Sequence, residues 1–437
     1  MIRRIVHTAA WALITLLAIA ASAQNSPPAG SSHDGKQWIG TWAAAAQPFM
    51  PASLRTFHNQ SLRLIVHTSA GGKRVRIRIS NTYGDKPLAI GSAHIARRSA
   101  SADIDPSSDR PVGFSGRPSI SVPPGSTVVS DPVELDVPAL SDLSISLFLP
   151  QVTEARTIHI LAQQTNYLSA ETGDYTAAVK FPVAKTLHSW PFLTGVDVEA
   201  SPHTVTIVAF GSSLTDGDGT TLDANRRWPD VLAERLQNAR PQKSEVGVLN
   251  EGIIGNRLLN DSPQQAGSPF GASLGQAGVT RFERDVLAQP GVRYVIVGLG
   301  INDILFPGSL TPASEQMSAE SVISGYRQLI ERAHKKGLQV IGTTIPPAEN
   351  AFLTLRNTGP PITFYTPEKE SVRQKVNTWM LSSKEFDAVI DFDMVLRDPR
   401  HPSQLLPAYD SGDHLHPNDA GCVAEGNAVP LALFASD

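Results

Sequence analysis

Four short polar blocks in this 437-residue chain hold side chains that could act together on a carbonyl carbon. A serine pair, Ser212 and Ser213, follows an apolar run at 205–210 (VTIVAF). Residues 250–256 read NEGIIGN, residues 300–303 read GIND, and residues 413–418 read DHLHPN. A serine hydroxyl is a weak nucleophile until an adjacent base takes its proton. His416 can be that base, and Asp413, three residues earlier, can hold the imidazole in one tautomer and stabilise its charged form. The oxyanion that develops on an attacked carbonyl needs preorganised donors. Gly255 has no side chain and can bring a backbone N–H close. The Asn302 amide can supply a second donor and the Ser213 N–H a third. Nucleophile, base, orienting carboxylate and oxyanion donors are the parts of an acyl-transfer site.

Neighbouring residues admit plainer roles. His414 adjoins Asp413 and points differently from a residue three positions on, so His416 is the preferred base. Asp303 and Asn256 read as turn or cap residues, and Gly255 could serve only as a turn glycine. Cys422 is the sole cysteine, so no internal disulfide can form. It reads as a small core residue, since a reactive thiol would need an activating base beside it. No His/Cys cluster has metal-ligand spacing, and neither a metal nor an organic cofactor is expected.

Regular elements must hold these blocks in place. Strand-like apolar runs occur at 205–210, 246–250 (VGVLN), 294–298 (YVIVG), 338–343 (LQVIGT) and 388–392 (AVIDF). Helical periodicity occurs at 228–237, 279–287, 319–336 and 368–381, and a last helix is expected from near Asp419. Gly337 is a good C-terminal stop for the third of these. Five continuous apolar strands alternating with helices predict a three-layer α/β/α parallel sheet with right-handed crossovers. In such sheets reactive groups are displayed beyond the carboxyl ends of the strands. Three of the four blocks follow strands, and the fourth precedes the last helix.

Residues 38–198 have another texture. Strand patterning recurs at 61–68 (SLRLIVHT), 74–79 (RVRIRI), 88–96, 126–129 and 143–149 (LSISLFL), with turn signals at 70–72, 81–85 and 123–125. No helical period is evident, which predicts an all-β, sandwich-like domain over 38–198, joined to a second domain over 203–437. The stripe of Arg74, Arg76 and Arg78 reads as the solvated side of a sheet rather than as an anion site.

At the front of the chain, Arg3 and Arg4 precede an apolar run at 9–20 and an A-x-A pattern ending at Ala23. This predicts a signal peptide over 1–23, cleaved after Ala23, and a secreted or periplasmic protein with no stable membrane insertion after cleavage. The apolar run is short for a membrane span. Residues 24–37 read as a flexible leader. Cleavage removes two arginines and no acid, moving the formal net charge from −4 to −6. That acidic balance gives no reason to expect a nucleic-acid partner.

In blocks and in block order, residues 203–437 resemble the SGNH hydrolases, also called GDSL esterases and lipases. The family's four signature positions fall on Ser213, Gly255, Asn302 and His416, with Asp413 supplied by its D-x-x-H motif. The resemblance implies a flavodoxin-like strand order of 2-1-3-4-5, an acyl-enzyme mechanism, catalytic Ser213, Asp413 and His416, and an oxyanion hole of Gly255 and Asn302. Register with residues 214–217 (LTDG) favours Ser213 over Ser212 as nucleophile. Ser212 stands where the family usually has an aspartate. The stretch from WIGTWAA to SNTYGDKPL is similar to the β domain that precedes the catalytic domain in a bacterial subgroup akin to carbohydrate and acetyl-xylan-type esterases. The implied partner is a small-molecule or polysaccharide ester, with acetyl groups on carbohydrate as the leading substrate. A lipid or lysophospholipid esterase is the alternative enzyme, and an inactive carbohydrate-binding protein is the alternative of another class.

Overall fold

The computed structural model describes residues 35–49, 54–239, 246–264, 268, 270–354 and 360–434. The expected signal peptide (1–23) and the expected leader (24–37) up to residue 34 lie outside the described residues, and Gln37 already opens a strand.

Five segments, β1 (Val205–Gly211), β2 (Val246–Asn250), β3 (Val292–Gly298), β4 (Gln339–Thr343) and β5 (Ala388–Ile390), pair in parallel in the order 2-1-3-4-5. The helices are α1 (Ser213–Asp216), α2 (Trp228–Ala239), α3 (Gly278–Phe282), α4 (Ile301–Leu305), α5 (Ala319–Lys335), α6 (Pro367–Ser383), α7 (Phe392–Leu396) and α8 (Asp419–Ala428). Alternate residues of each strand enter different cores. Val208, Phe210, Val295, Val297 and Val340 pack with Phe282, Leu329 and Val376 on one face. Ile207, Ala209, Ile296 and Ile341 pack with Trp228, Leu232 and Val429 on the other. Burial on both faces is why these strands read as unbroken apolar runs.

Two elements of this half differ from expectation. The fifth strand stops at Ile390 instead of residue 392, because the Asp391 side chain accepts from Met394 N (3.1 Å) and caps α7. The helix expected over 279–287 is α3 followed by a wider π turn at Glu283–Leu287.

The N-terminal half is built mainly on two antiparallel sheets. One orders Gln37–Ala43, Leu193–Ala200, Gly72–Ser80 and Thr127–Val129, with Val133–Val137 also on Gly72–Ser80. The other orders Val183–Leu187, Asn166–Ser169, Thr56–His67, Asp142–Glu154, Ser92–Ala100 and Asp103–Ile104. Ile39, Val75, Ile77 and Val196 from the first sheet share one core with Leu62, Leu64, Ile95, Leu143, Ile145 and Leu147 from the second. The segment expected as one strand over 88–96 is two, Leu88–Ile90 and Ser92–Ala100, broken at Gly91, where a Cβ would meet the Phe148 ring at 2.7 Å.

The arginine stripe is not a solvated face. Arg74 pairs with Glu199 (3.0 Å) and Glu134 (2.8 Å), and Arg76 pairs with Asp197 (3.0 Å), all from neighbouring strands of the same sheet. Asp197 is wholly buried, so the sheet carries an internal ladder of opposite charges.

The described residues belong to one packed unit, and the two halves meet at close quarters. Gly40 of the strand Gln37–Ala43 faces Gly247 of β2, where a Cβ on Gly247 would sit 2.1 Å from the Gly40 carbonyl oxygen. Among the described residues no helix is long and apolar enough to cross a membrane.

Candidate active site

Strand β1 delivers Ser212 and Ser213 to the carboxyl edge of the sheet. Ser212 is extended and caps α1, its carbonyl accepting from Thr215 N (3.0 Å) and Asp216 N (2.9 Å). Ser213 is the first residue of α1. Gly217, at φ +100°, closes the helix by donating to the Ser213 carbonyl (2.8 Å). Among the described residues the buried Ser212 hydroxyl has no hydrogen-bond partner, whereas the Ser213 hydroxyl meets the histidine.

The loop before α8 brings that histidine. His416 Nε2 lies 2.9 Å from Ser213 Oγ, although 203 positions separate the residues. His416 Nδ1 lies 2.5 Å from Asp413 Oδ2, while Asp413 Oδ1 accepts from the backbone N–H of His416 (2.8 Å) and Leu415 (2.9 Å). Burial alone would raise the Asp413 pKa, but the His416 ring and these two N–H groups outweigh it and hold the pKa at about 2. Burial disfavours the His416 cation, yet the bond to Asp413 and the charges of Asp218, Asp413 and Asp410 keep its pKa above the ordinary imidazole value. His414 is turned elsewhere: its Nδ1 meets Asp410 Oδ2 at 2.5 Å, and its side chain is largely exposed.

The two expected oxyanion donors sit on the loops after β2 and β3, the strands that flank β1. Gly255 has φ +68°, and a Cβ there would also meet the Leu274 side chain at 2.7 Å, so both backbone and packing favour glycine. Its N–H donates to no group among the described residues. Asn302 lies in α4, 2% exposed, and one N–H of its amide donates to the Asn256 carbonyl (2.9 Å). That bond ties the third block to the residue after Gly255 and leaves the other amide hydrogen for a ligand. Asn256 and Asp303 are structural, as expected. Asn256 Nδ2 donates to Leu274 O (2.9 Å) and Gln276 O (2.8 Å), and Asp303 accepts from the N–H groups of Leu258 (2.6 Å) and Leu259 (2.9 Å). Cys422 is buried in α8.

Three further residues belong to this site. Asp218 places Oδ2 3.8 Å from His416 Nε2. Asp216 accepts from Ile254 N (2.9 Å). Arg281 is wholly buried and donates to Gly211 O (2.9 Å), Glu251 O (2.9 Å) and Asn256 Oδ1 (3.0 Å), joining the end of β1 to the Gly255 loop. Sequence reading misses these roles. Asp216 and Asp218 stand in the same run as Ser213, which is the one available signal; nothing near Arg281 marks it.

A doubly wound sheet of order 2-1-3-4-5, with a Ser–His–Asp chain of hydrogen bonds at its carboxyl edge, is the architecture of the SGNH-type hydrolases. Residues 209–423 match the GDSL-like lipase/acylhydrolase family, and the protein is an ester-bond hydrolase. Among curated protein sequences none matches the chain. Solved structures similar to it include the native aryl esterase of M. smegmatis, at 18% identity, 53% of this chain, 97% of that chain and a TM-score of 0.38. A GDSL-like lipase from Bacteroides thetaiotaomicron VPI-5482 is 16% identical over 52% of this chain and 87% of that one, with a TM-score of 0.35. A carbohydrate acetylesterase from Sinorhizobium meliloti is 15% identical over 52% of this chain and 96% of that one, with a TM-score of 0.35.

Proposed function

We propose that the protein is an exported serine esterase that removes short acyl groups, acetyl foremost, from carbohydrate. The observation that carries the mechanism is the 2.9 Å approach of His416 Nε2 to Ser213 Oγ, with Asp413 on the opposite ring nitrogen. His416 takes the Ser213 proton as Oγ bonds to the ester carbonyl carbon. The N–H groups of Gly255, Asn302 and Ser213 receive the oxyanion. Collapse of the tetrahedral intermediate breaks the bond to the alcohol oxygen, which leaves with the proton from His416. Water, deprotonated by the same histidine, then releases the acid from the acyl-enzyme and restores Ser213. Asp413 keeps Nδ1 protonated and offsets the imidazolium charge throughout.

Export rests on the N-terminal pattern of residues 1–23, ahead of a leader (24–37), a β domain (38–198) and the hydrolase domain (203–437). The extra β domain and the subgroup resemblance support a carbohydrate ester over a lipid. Ser213→Ala should abolish hydrolysis of p-nitrophenyl acetate while the circular dichroism spectrum is unchanged; full turnover in that variant would sink the mechanism. Comparing acetylated xylan with p-nitrophenyl esters of rising chain length tests the substrate. A preference for long chains would favour the lipid alternative.

A further inference from the structure

We propose that His159, from the N-terminal β region, is a positioning residue for the oxyanion loop, acting through Asp216. The proposal rests on the esterase reading above and assigns part of the catalytic geometry to the region that precedes the hydrolase fold.

His159 ends the short strand Thr157–His159 and is 2% exposed. Its Nδ1 lies 3.0 Å from the Ala45 carbonyl oxygen. Its Nε2 lies 2.9 Å from Asp216 Oδ1 and 3.1 Å from the Leu161 carbonyl oxygen. Every one of these partners is an acceptor. A neutral imidazole has one N–H, so it would leave one ring nitrogen facing an oxygen lone pair inside the protein. Only the imidazolium satisfies both sides. Burial works against that cation, but the charge of Asp216 and the bonds to Asp216 and Ala45 prevail and hold the pKa above its ordinary value.

Asp216 is the other half of the pair and is 1% exposed. Its Oδ1 accepts from the His159 ring, and its Oδ2 accepts from Ile254 N (2.9 Å), immediately before Gly255. Asp216 also closes α1, the helix that Ser213 opens. One carboxylate therefore spans nucleophile helix, oxyanion loop and β region. The fit is close: a Cβ on Gly252 would sit 2.4 Å from Asp216 N. Arg227 also acts on His159, opposing its cation, and is itself held by Asp230 (2.7 Å). The Trp190 ring lies 5.6 Å from the imidazole. Nearby, Gln163 Nε2 donates to Gly217 O (2.9 Å) and Thr220 O (3.1 Å), so the same β segment also grips the loop after α1. Without the cation, Asp216 loses its hydrogen-bonded ion-pair partner and keeps only the longer-range field of Arg227, which Asp230 already holds, so the buried carboxylate is free to move and Ile254 N loses its fixed acceptor.

The test uses the full chain with His159→Gln, Asp216→Asn and the double variant, alongside Ser213→Ala. His159→Gln keeps a donor but no charge. Each single variant should lose about 10- to 100-fold in kcat for p-nitrophenyl acetate, with KM little changed, as expected for misplaced transition-state donors. The double variant, which leaves no buried charge unpaired, should recover part of that loss. Folded fractions from circular dichroism correct each kcat. A folded His159→Gln protein with unchanged kcat overturns the proposal, as does a double variant whose losses simply add. If His159→Gln does not fold, Asp216→Asn decides by the same kcat and KM criterion. Turnover surviving in Ser213→Ala would instead overturn the esterase mechanism itself, so the two failures are distinct.

Discussion

Asp218 Oδ2 lies 3.8 Å from His416 Nε2, the same nitrogen that meets Ser213 Oγ. A negative charge there favours the imidazolium and so raises the pH at which His416, the proposed base, becomes neutral. Asp218→Asn should move the acid limb of the kcat/KM profile to lower pH, by about one unit or less at this distance and exposure. A pH series on p-nitrophenyl acetate measures it, and a limb that stays put or moves up would show that Asp218 does not act on the base.

The proposed mechanism gives the second amide hydrogen of Asn302 to the oxyanion. Asn302→Ala should lower kcat by roughly 10²–10³, with KM within a few-fold of the parent. It also leaves the buried Asn256 carbonyl without its donor, so a stability loss of about 1–3 kcal/mol should accompany it in urea unfolding. A kcat close to that of the parent would remove Asn302 from the mechanism.

Gly247→Ala tests the seam between the halves. The new methyl would sit 2.1 Å from the Gly40 carbonyl oxygen, too close for either backbone to ignore. The expected cost is roughly 1–3 kcal/mol or more, read as a lower urea midpoint. An unshifted midpoint would mean that the two strands can separate freely at this point.

Asp303 gives stability a pH dependence of unusual sign. Burial is the largest influence on it and raises its folded pKa to about 6, above the ordinary 3.8. Between those values the native state binds more protons than the unfolded chain, so this group's contribution falls as pH rises. Asp413 runs the other way: with a folded pKa of about 2, its contribution is complete above 3.8 and is lost as pH falls toward 2. Subtracting the stability of Asp303→Asn from that of the parent should give a difference that declines between pH ~4 and ~6. A flat or rising difference would contradict the burial argument.

The parallel sheet is legible in the sequence because burial on both faces leaves its strands almost wholly apolar, and turn glycines mark several of their ends. The juxtaposition of Ser213, His416 and Asp413 is legible because their side chains stand in short polar blocks. The strand Leu193–Ala200 is not: its alternation includes Asp197 and Glu199, which look like surface residues until Arg74 and Arg76 are seen opposite them. The same pairing explains why the arginines read as solvated. His159, Asp216 and Arg281 are hidden for a related reason. Contacts that tie them to the site span 57, 38 and up to 70 positions, and no local pattern encodes a hydrogen bond of that reach.

The meeting of Gly40 with Gly247 also bears on protein engineering. The edge of the hydrolase sheet is shaped for a neighbour that carries no side chain, and Leu249 presses against that neighbour's backbone. A catalytic half excised at residue 203 would expose this flank to water, and one grafted behind an unrelated leader would meet the wrong surface. Transplants within this architecture should therefore move residues 37–43 together with the hydrolase.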